Sequence, residues 1–299
     1  MEEVQIPIYG ESEPRIGNKD KTFKFKYFTE KNDELINIFG EEFVKNNKNK
    51  CNLIIDDSID SELRTNYSFK LKGEHTITLF INEENINFNG LFDFKINIGL
   101  INSFVPIQDK NYLEYFKKNN KVIDASSLED LDTSQFTSLS HIFTGCANIK
   151  NFNFLKNWDV SKCTDFSGLF FGCSFTKLDF LVKWNVCKAK TFLDMFKYCI
   201  NLNDLGHIKN WNVENVEIFT AMFDRCYNLT DVNVLQNWNM GKARDISWMF
   251  TWCDKLTTID SLYKWKLSDT VVKTGIIQGC SSLKNIPSVF KNTDFCPIF

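Results

Sequence analysis

From about Leu128 to Phe299 the apolar residues of the chain fall into columns. Phe166, Leu169, Phe170 and Cys173 stand at i, i+3, i+4 and i+7. The same spacing returns in Phe192, Met195, Phe196 and Cys199, in Phe219, Met222, Phe223 and Cys226, and in Ile246, Met249, Phe250 and Cys253. Residues so spaced share one face of a helix, so each copy is expected to hold a short amphipathic helix. A second pattern, LxxLxLxxN, runs ahead of the Trp of each copy. It is seen in Ile149, Phe152, Phe154 and Asn157, in Leu202, Leu205, His207 and Asn210, and in Leu229, Val232, Val234 and Asn237. That pattern predicts a strand whose apolar positions enter the core. Its Asn is expected to hydrogen-bond backbone groups where the strand turns away. Lys183, Lys264 and Lys291 replace the Asn elsewhere.

The two patterns alternate with a fixed period. Cys146, Cys173, Cys199, Cys226, Cys253 and Cys280 follow one another in steps of 27, 26, 27, 27 and 27. Trp158, Trp184, Trp211, Trp238 and Trp265 keep steps of 26, 27, 27 and 27. Columns in phase over six copies are a tandem repeat, and this period is that of a stacked array. A strand and a short helix per copy predict an α/β solenoid of about six repeats over residues 119–299. Its strands would run parallel at ~4.8 Å spacing, with the helices on the convex side. No single copy buries its own face, so the array is expected to behave as one cooperative body.

The string Trp-Asn-Val-x-x-(Val/Ala)-x-x-(Phe/Ile)-x-x-Met-Phe-x-x-Cys-x-x-Leu resembles the BspA-like leucine-rich repeat family over about residues 128–290. That family is abundant in mycoplasma surface lipoproteins and in anaerobic protists. The resemblance implies adhesion and protein binding, not catalysis.

The chain before the repeats reads differently. Residues 1–21 are polar, with Pro7, Gly10, Pro14 and Gly17, and predict an extended arm. Residues 22–118 predict a small α+β module that also caps the solenoid. Thr22–Phe28 alternates as a strand does, Glu34–Lys45 reads as a helix capped by Asn32-Asp33, and Cys51–Ile55 and His75–Ile81 read as strands. Glu62–Leu71 is expected to supply another strand. The stretch Phe39–Cys51 resembles a leader module that precedes such repeats in protist proteins. Gly90–Ile107 and Tyr112–Phe116 fit no repeat column and are expected to cover the open edge of the first repeat. At the other end, Pro287 and Phe295–Phe299 are expected to cover the last core layer.

Composition narrows the function classes. A net charge of −3 without a long basic run argues against nucleic-acid binding through phosphate neutralisation. Met1-Glu-Glu-Val-Gln-Ile6 lacks the apolar core of a secretory leader, and no apolar run reaches the ~18 residues of a membrane span. The expectation is a cytoplasmic chain without membrane insertion. Six of the ten Cys form one apolar column, where Cys acts as a small buried thiol. Cys163 joins Ala189, Val216 and Ala243 in a second core column, and Cys187 is the expected exposed thiol.

Candidate chemistry is sparse. There are three His, and no GxSxG, HExxH, GxxxxGK[ST], GxGxxG or CxxC occurs. No enzyme, cofactor, small-molecule substrate or metal site is therefore expected. Asp179, Asp204, Asp231 and Asp260 are expected on the concave face, where they could meet a basic peptide or Ca²⁺. On the helical wheel Trp248 and Trp252 point away from the core, and Tyr198, Arg225 and Trp252 line up on neighbouring copies. These residue types are enriched at binding hot spots. The expected function is a non-enzymatic protein-interaction scaffold. The alternatives are a structural subunit of a cytoskeletal, ciliary or viral assembly and a surface adhesin exported without an N-terminal leader.

Overall fold

The structure is a computed structural model and describes residues 22–60, 62–83, 86–93 and 112–290. The arm expected at 1–21 and the cover expected at Phe295–Phe299 lie outside these residues.

Seven strands lie in the first part: β1 (Thr22–Thr29), β2 (Glu34–Asn37), β3 (Cys51–Ile55), β4 (Ser58–Asp60), β5 (Asn66–Phe69), β6 (Gly73–Ile81) and β7 (Val122–Asp124). Among the described residues two helices accompany them, α1 (Glu41–Asn47) and α2 (Tyr112–Asn119). A five-stranded antiparallel sheet has the order β4-β3-β6-β1-β7, and β2 pairs with β5 separately. β1 is strictly alternating: Phe23, Phe25 and Tyr27 enter the core while Lys24 and Lys26 face outward.

The helix expected over Glu34–Lys45 is divided in two. Its first half is β2, whose Ile36 is buried between exposed Leu35 and Asn37. Its second half is α1, which starts after Gly40. At Gly40 the chain passes so close to Gly90 that a Cβ would lie 2.0 Å from the Gly90 carbonyl oxygen. The Gly40 N–H donates to the Leu91 carbonyl at 2.9 Å. A tertiary contact, which local periodicity cannot encode, thus sets the helix start.

In the second part the two expected elements change character. The LxxLxLxxN stretches are 3₁₀ turns, as at Asn153–Asn157 and Asn233–Asn237, not strands. Asn157, Asn210 and Asn237 are exposed, and no ladder of side-chain hydrogen bonds runs through them. The Phe166–Cys173 stretch and its copies are not α-helices. They are overlapping turns: the N–H groups of Leu169, Phe171 and Cys173 donate to the carbonyls of Phe166, Gly168 and Phe170 at 3.0–3.3 Å. The N–H groups between them point along the stack. Phe166, Gly168, Phe170 and Gly172 donate to Thr191, Leu193, Met195 and Lys197 of the next copy at 2.8–3.2 Å. The same quartet of bonds recurs from Leu139 onward through the copy that ends at Gln278. Isolated parallel bridges, Asp165 to Thr191 to Ile218 to Asp245 to Val272, keep this register.

A helix would spend each of these N–H groups four residues back in the same copy. Here every fourth residue instead takes a left-handed φ: Gly168 and Gly172, Asp194 and Tyr198, Ala221 and Arg225, Trp248 and Trp252, Gly275 and Gly279. That turns alternate N–H groups toward the next copy. The core assignment itself holds, since Phe166, Leu169, Phe170 and Cys173 are all fully buried.

Asp, Asn and Thr side chains set the corners. Asp165 accepts from the Ser167 N–H at 2.9 Å, Asp159 from Ser161 at 2.9 Å and Asp231 from Asn233 at 2.6 Å. Such a bond two residues on is what makes these short polar residues turn formers.

The first copy is capped from the N-terminal side. The Gly90 and Phe92 N–H groups donate to the Ser140 and Ile142 carbonyls at 3.0 and 3.1 Å, and the buried Asn120 amide reaches the Thr144 carbonyl at 3.2 Å. The cap expected from Gly90 therefore engages at Gly90 and Phe92, while residues 94–111 lie outside the described residues. One hydrophobic cluster runs from Phe23 to Phe290. β7 lies beyond the expected boundary at 118/119 and pairs with β1, so the hydrogen bonding of the first part reaches Asp124.

Candidate binding site

The left-handed positions carry most of the expected site. In one column Gly145 and Gly172 are followed by Tyr198, Arg225 and Trp252, then Gly279; in the other Ala221 and Trp248 are followed by Gly275. The helical-wheel argument for the two tryptophans does not apply, because their segment is not a helix. Both indoles are half-buried and lean on the next copy. A Cβ on Gly275 would meet Trp248 at 2.7 Å, and one on Gly279 would meet Trp252 at 2.4 Å. Glycine there leaves room for a ring and also accommodates the positive φ.

Tyr198 is buried, packed on Phe171 at 5.4 Å and on Phe116 of α2 at 5.9 Å. The Arg225 guanidinium lies 5.1 Å from the Tyr198 ring centre, within cation–π range. The row expected from the sequence is therefore assembled, with its Tyr198 end covered by α2.

Beside Arg225, Trp248 and Trp252 lies a cavity of about 260 Å³, also lined by Lys197, Asp224 and Gln278. Asp224 is buried. Arg225 Nη1 donates to its two carboxylate oxygens at 3.0 and 2.7 Å, and Lys197 Nζ stands 3.4 Å away. Lys197 also bridges to Asp194 at 3.3 Å. Burial pushes the Asp224 carboxyl above the usual carboxylate range, and Arg225 and then Lys197 draw it back. Asp224 and Lys197 were not singled out by the sequence reading. Their signal is weak: the residue after the Phe of Phe-x-x-Cys is charged only at Lys197 and Asp224 and is Thr144, Phe171 or Thr251 in the other copies, so neither stands apart from a solvated surface residue.

The four aspartates do not form a site together. Asp204 and Asp231 share a column and each accepts from an N–H two residues on, Gly206 at 2.8 Å and Asn233 at 2.6 Å. Asp179 and Asp260 sit two positions further along their copies, and Asp179 stands 4.0 Å from half-buried Lys156. Among the described residues no three metal-ligating side chains come together.

His75 makes a contact chain the sequence did not reveal. Its Nδ1 lies 2.6 Å from Asp56 and its Nε2 lies 3.0 Å from Thr29 Oγ1 and 2.8 Å from the Leu71 carbonyl. The order Asp-His-Thr matches a catalytic relay in outline. Thr29 is fully buried, however, and its hydroxyl is already engaged with the Gly73 N–H at 3.2 Å.

These observations describe a protein built of tandem units tied copy to copy through the backbone. The family model described as Mycoplasma protein of unknown function, DUF285, matches residues 110–205 and again residues 175–290, more than half of the chain. The chain belongs to that family. No curated protein and no solved structure matches it. Among the described residues no helix is long and apolar enough to cross a membrane.

Proposed function

We propose that the chain is a non-enzymatic protein-interaction scaffold whose repeats, from residue 119 onward through the described residues, form a solenoid of the BspA-like leucine-rich-repeat type. What carries the reading is the gathering of Arg225, Trp248 and Trp252 around one cavity, with Tyr198 beneath the guanidinium. Trp, Tyr and Arg dominate measured binding hot spots. The burial of Thr29 supports reading the Asp56–His75–Thr29 chain as structural. The test is Trp252→Ala in the full chain. It should weaken association with co-purifying protein by more than about 2 kcal/mol while Tm stays within a few degrees. Unchanged recovery of the same co-purifying chains would remove this surface from the reading.

A subunit role in a larger assembly is favoured by a different observation. The N–H groups of Lys273, Gly275, Ile277 and Gly279 stand at the donor positions of the last copy and have no acceptor among the described residues. An unpaired row of donors is a template for pairing with another chain. Sedimentation velocity separates the two roles: a monomer at micromolar concentration removes this second one.

A further inference from the structure

We infer that the cavity beside Trp248 and Trp252 takes a glutamate side chain from an acidic segment of a partner protein. The inference rests on the interaction reading above and names what that surface recognises.

The first argument is charge. Lys197 and Arg225 line the cavity with 13% and 12% of their side chains exposed, whereas Asp224, which pairs with both, keeps 4%. Asp194, the other carboxylate holding Lys197, is not among the lining residues. The opening therefore presents an ammonium and a guanidinium, with the carboxylate beneath them. Hydrogen bonds between such cations and a carboxylate are about twice as strong as neutral ones. An incoming lysine would meet two like charges, and the one carboxylate of the lining, Asp224, is already engaged by both of them.

The second argument is size and shape. About 260 Å³ falls short of the ~300–1,000 Å³ typical of small-molecule pockets and suits a single side chain. Two indoles flank the space, so a stem of two methylenes would be covered while its carboxylate reaches the cations.

The third argument is the backbone and is independent of both. Ala221, Arg225, Trp248 and Trp252 line the cavity with φ of 53, 60, 56 and 56°. The same two columns carry Gly275 and Gly279 in the following copy, Asp194 and Tyr198 in the preceding one, and Gly168 and Gly172 in the copy before that. A non-glycine residue in this conformation is strained, and such residues concentrate at functional positions. Of the other non-glycine residues in these columns, Asp194 and Tyr198 adjoin the cavity through Lys197 and Arg225, and His141 leans on Gly168. The strain is thus concentrated where side chains build the cavity.

The test uses the full chain and fluorescein-labelled hexaglutamate, with hexaglutamine as control, read by anisotropy. Hexaglutamate should bind at least about tenfold more tightly. Lys197→Gln should weaken it about fivefold or more, and Lys177→Gln, remote from the cavity, should not. Should Lys197→Gln fail to fold, Gln278→Glu leaves the buried cluster untouched and sets a carboxylate at the cavity wall; it must weaken hexaglutamate to a similar extent. Equal binding of the two peptides, or wild-type affinity in the folded variant, overturns the inference. In that event, loss of the co-purifying partner by Trp252→Ala leaves the interaction reading standing, and its retention removes both.

Discussion

Single residues join one copy to the next in ways their spacing only hinted at. The Trp column is a column of donors: Trp158, Trp184, Trp238 and Trp265 give their indole N–H to the carbonyls of Leu128, Leu155, Ile208 and Leu235 at 2.9–3.2 Å. Each accepting residue lies in the preceding copy. Trp211 Nε1 is buried and has no hydrogen-bond partner among the described residues. Trp238→Phe and Trp211→Phe remove similar volume, but only the first breaks a bond. Trp238→Phe should therefore be the more costly by about 1 kcal/mol, read from urea denaturation midpoints. Equal losses would show that these N–H bonds contribute nothing net.

The Cys column behaves alike from Cys173 onward, each Sγ donating to a Phe carbonyl one copy back, as Cys199 does to Phe170 at 3.1 Å, while Cys146 Sγ accepts from the Asn120 amide at 3.4 Å. Burial pushes the Cys51 and Cys163 thiols up to about 12 and those of Cys146, Cys173, Cys199, Cys226 and Cys253 also well upward. In the unfolded chain these thiols ionise near the ordinary 9.0 while in the folded chain they keep their protons. Stability is thus unaffected below about pH 8.5 and falls as pH rises from there toward 12, by about 1.4 kcal/mol per pH unit for each fully shifted thiol. Chemical denaturation across pH 8–10.5 should show this decline, with a shallower slope in Cys163→Ala. Half-buried Cys187 should take a thiol reagent before Cys199, Cys226 and Cys253.

At the scale of elements, the period of the hydrophobic pattern identified the buried positions and misassigned the backbone. The spacing i, i+3, i+4, i+7 is met equally by a helix and by overlapping turns, because both bring the third residue back to one side. What separates them is where the N–H groups go, and that is settled by a neighbouring copy. The cap shows the same dependence. Asn120 looks like one of a run of polar residues, yet it is buried and its amide donates to Thr144, while its oxygen accepts from the Val122 N–H at 3.1 Å. Asn120→Ala leaves several buried groups unpaired and should cost at least about 2 kcal/mol. An exposed control such as Asn52→Ala should cost under about 0.5 kcal/mol. A matching small loss in both would mean the first copy does not need its cap.

For the whole molecule, the continuous core predicts one transition. Phe223 stacks between Phe196 at 5.5 Å and Phe250 at 5.7 Å, with ring planes within 8° and 0°. Phe223→Ala should cost about 3–5 kcal/mol and lower the midpoint reported by far-ultraviolet dichroism and by tryptophan emission together. Separate midpoints would divide the first part from the repeats. EDTA should leave Tm unchanged, and unfolding on its addition would revive a metal role for the aspartates.

The sequence alone determined the repeat, its period and the membership of its core, because burial of apolar side chains is written residue by residue. Phe143, Phe170, Phe196, Phe223 and Phe250, read as one column, are one buried stack. It also put Tyr198, Arg225 and Trp252 in one row. Only the tertiary structure decided what the backbone does between those positions. Alternate N–H groups have no partner within their own copy, so the left-handed turns exist because the next copy supplies the carbonyls. The cavity followed from the same cause. Lys197, Asp224 and Trp248 come from consecutive copies, and it is the parallel register of the ladder that sets a buried charge pair beside two indoles.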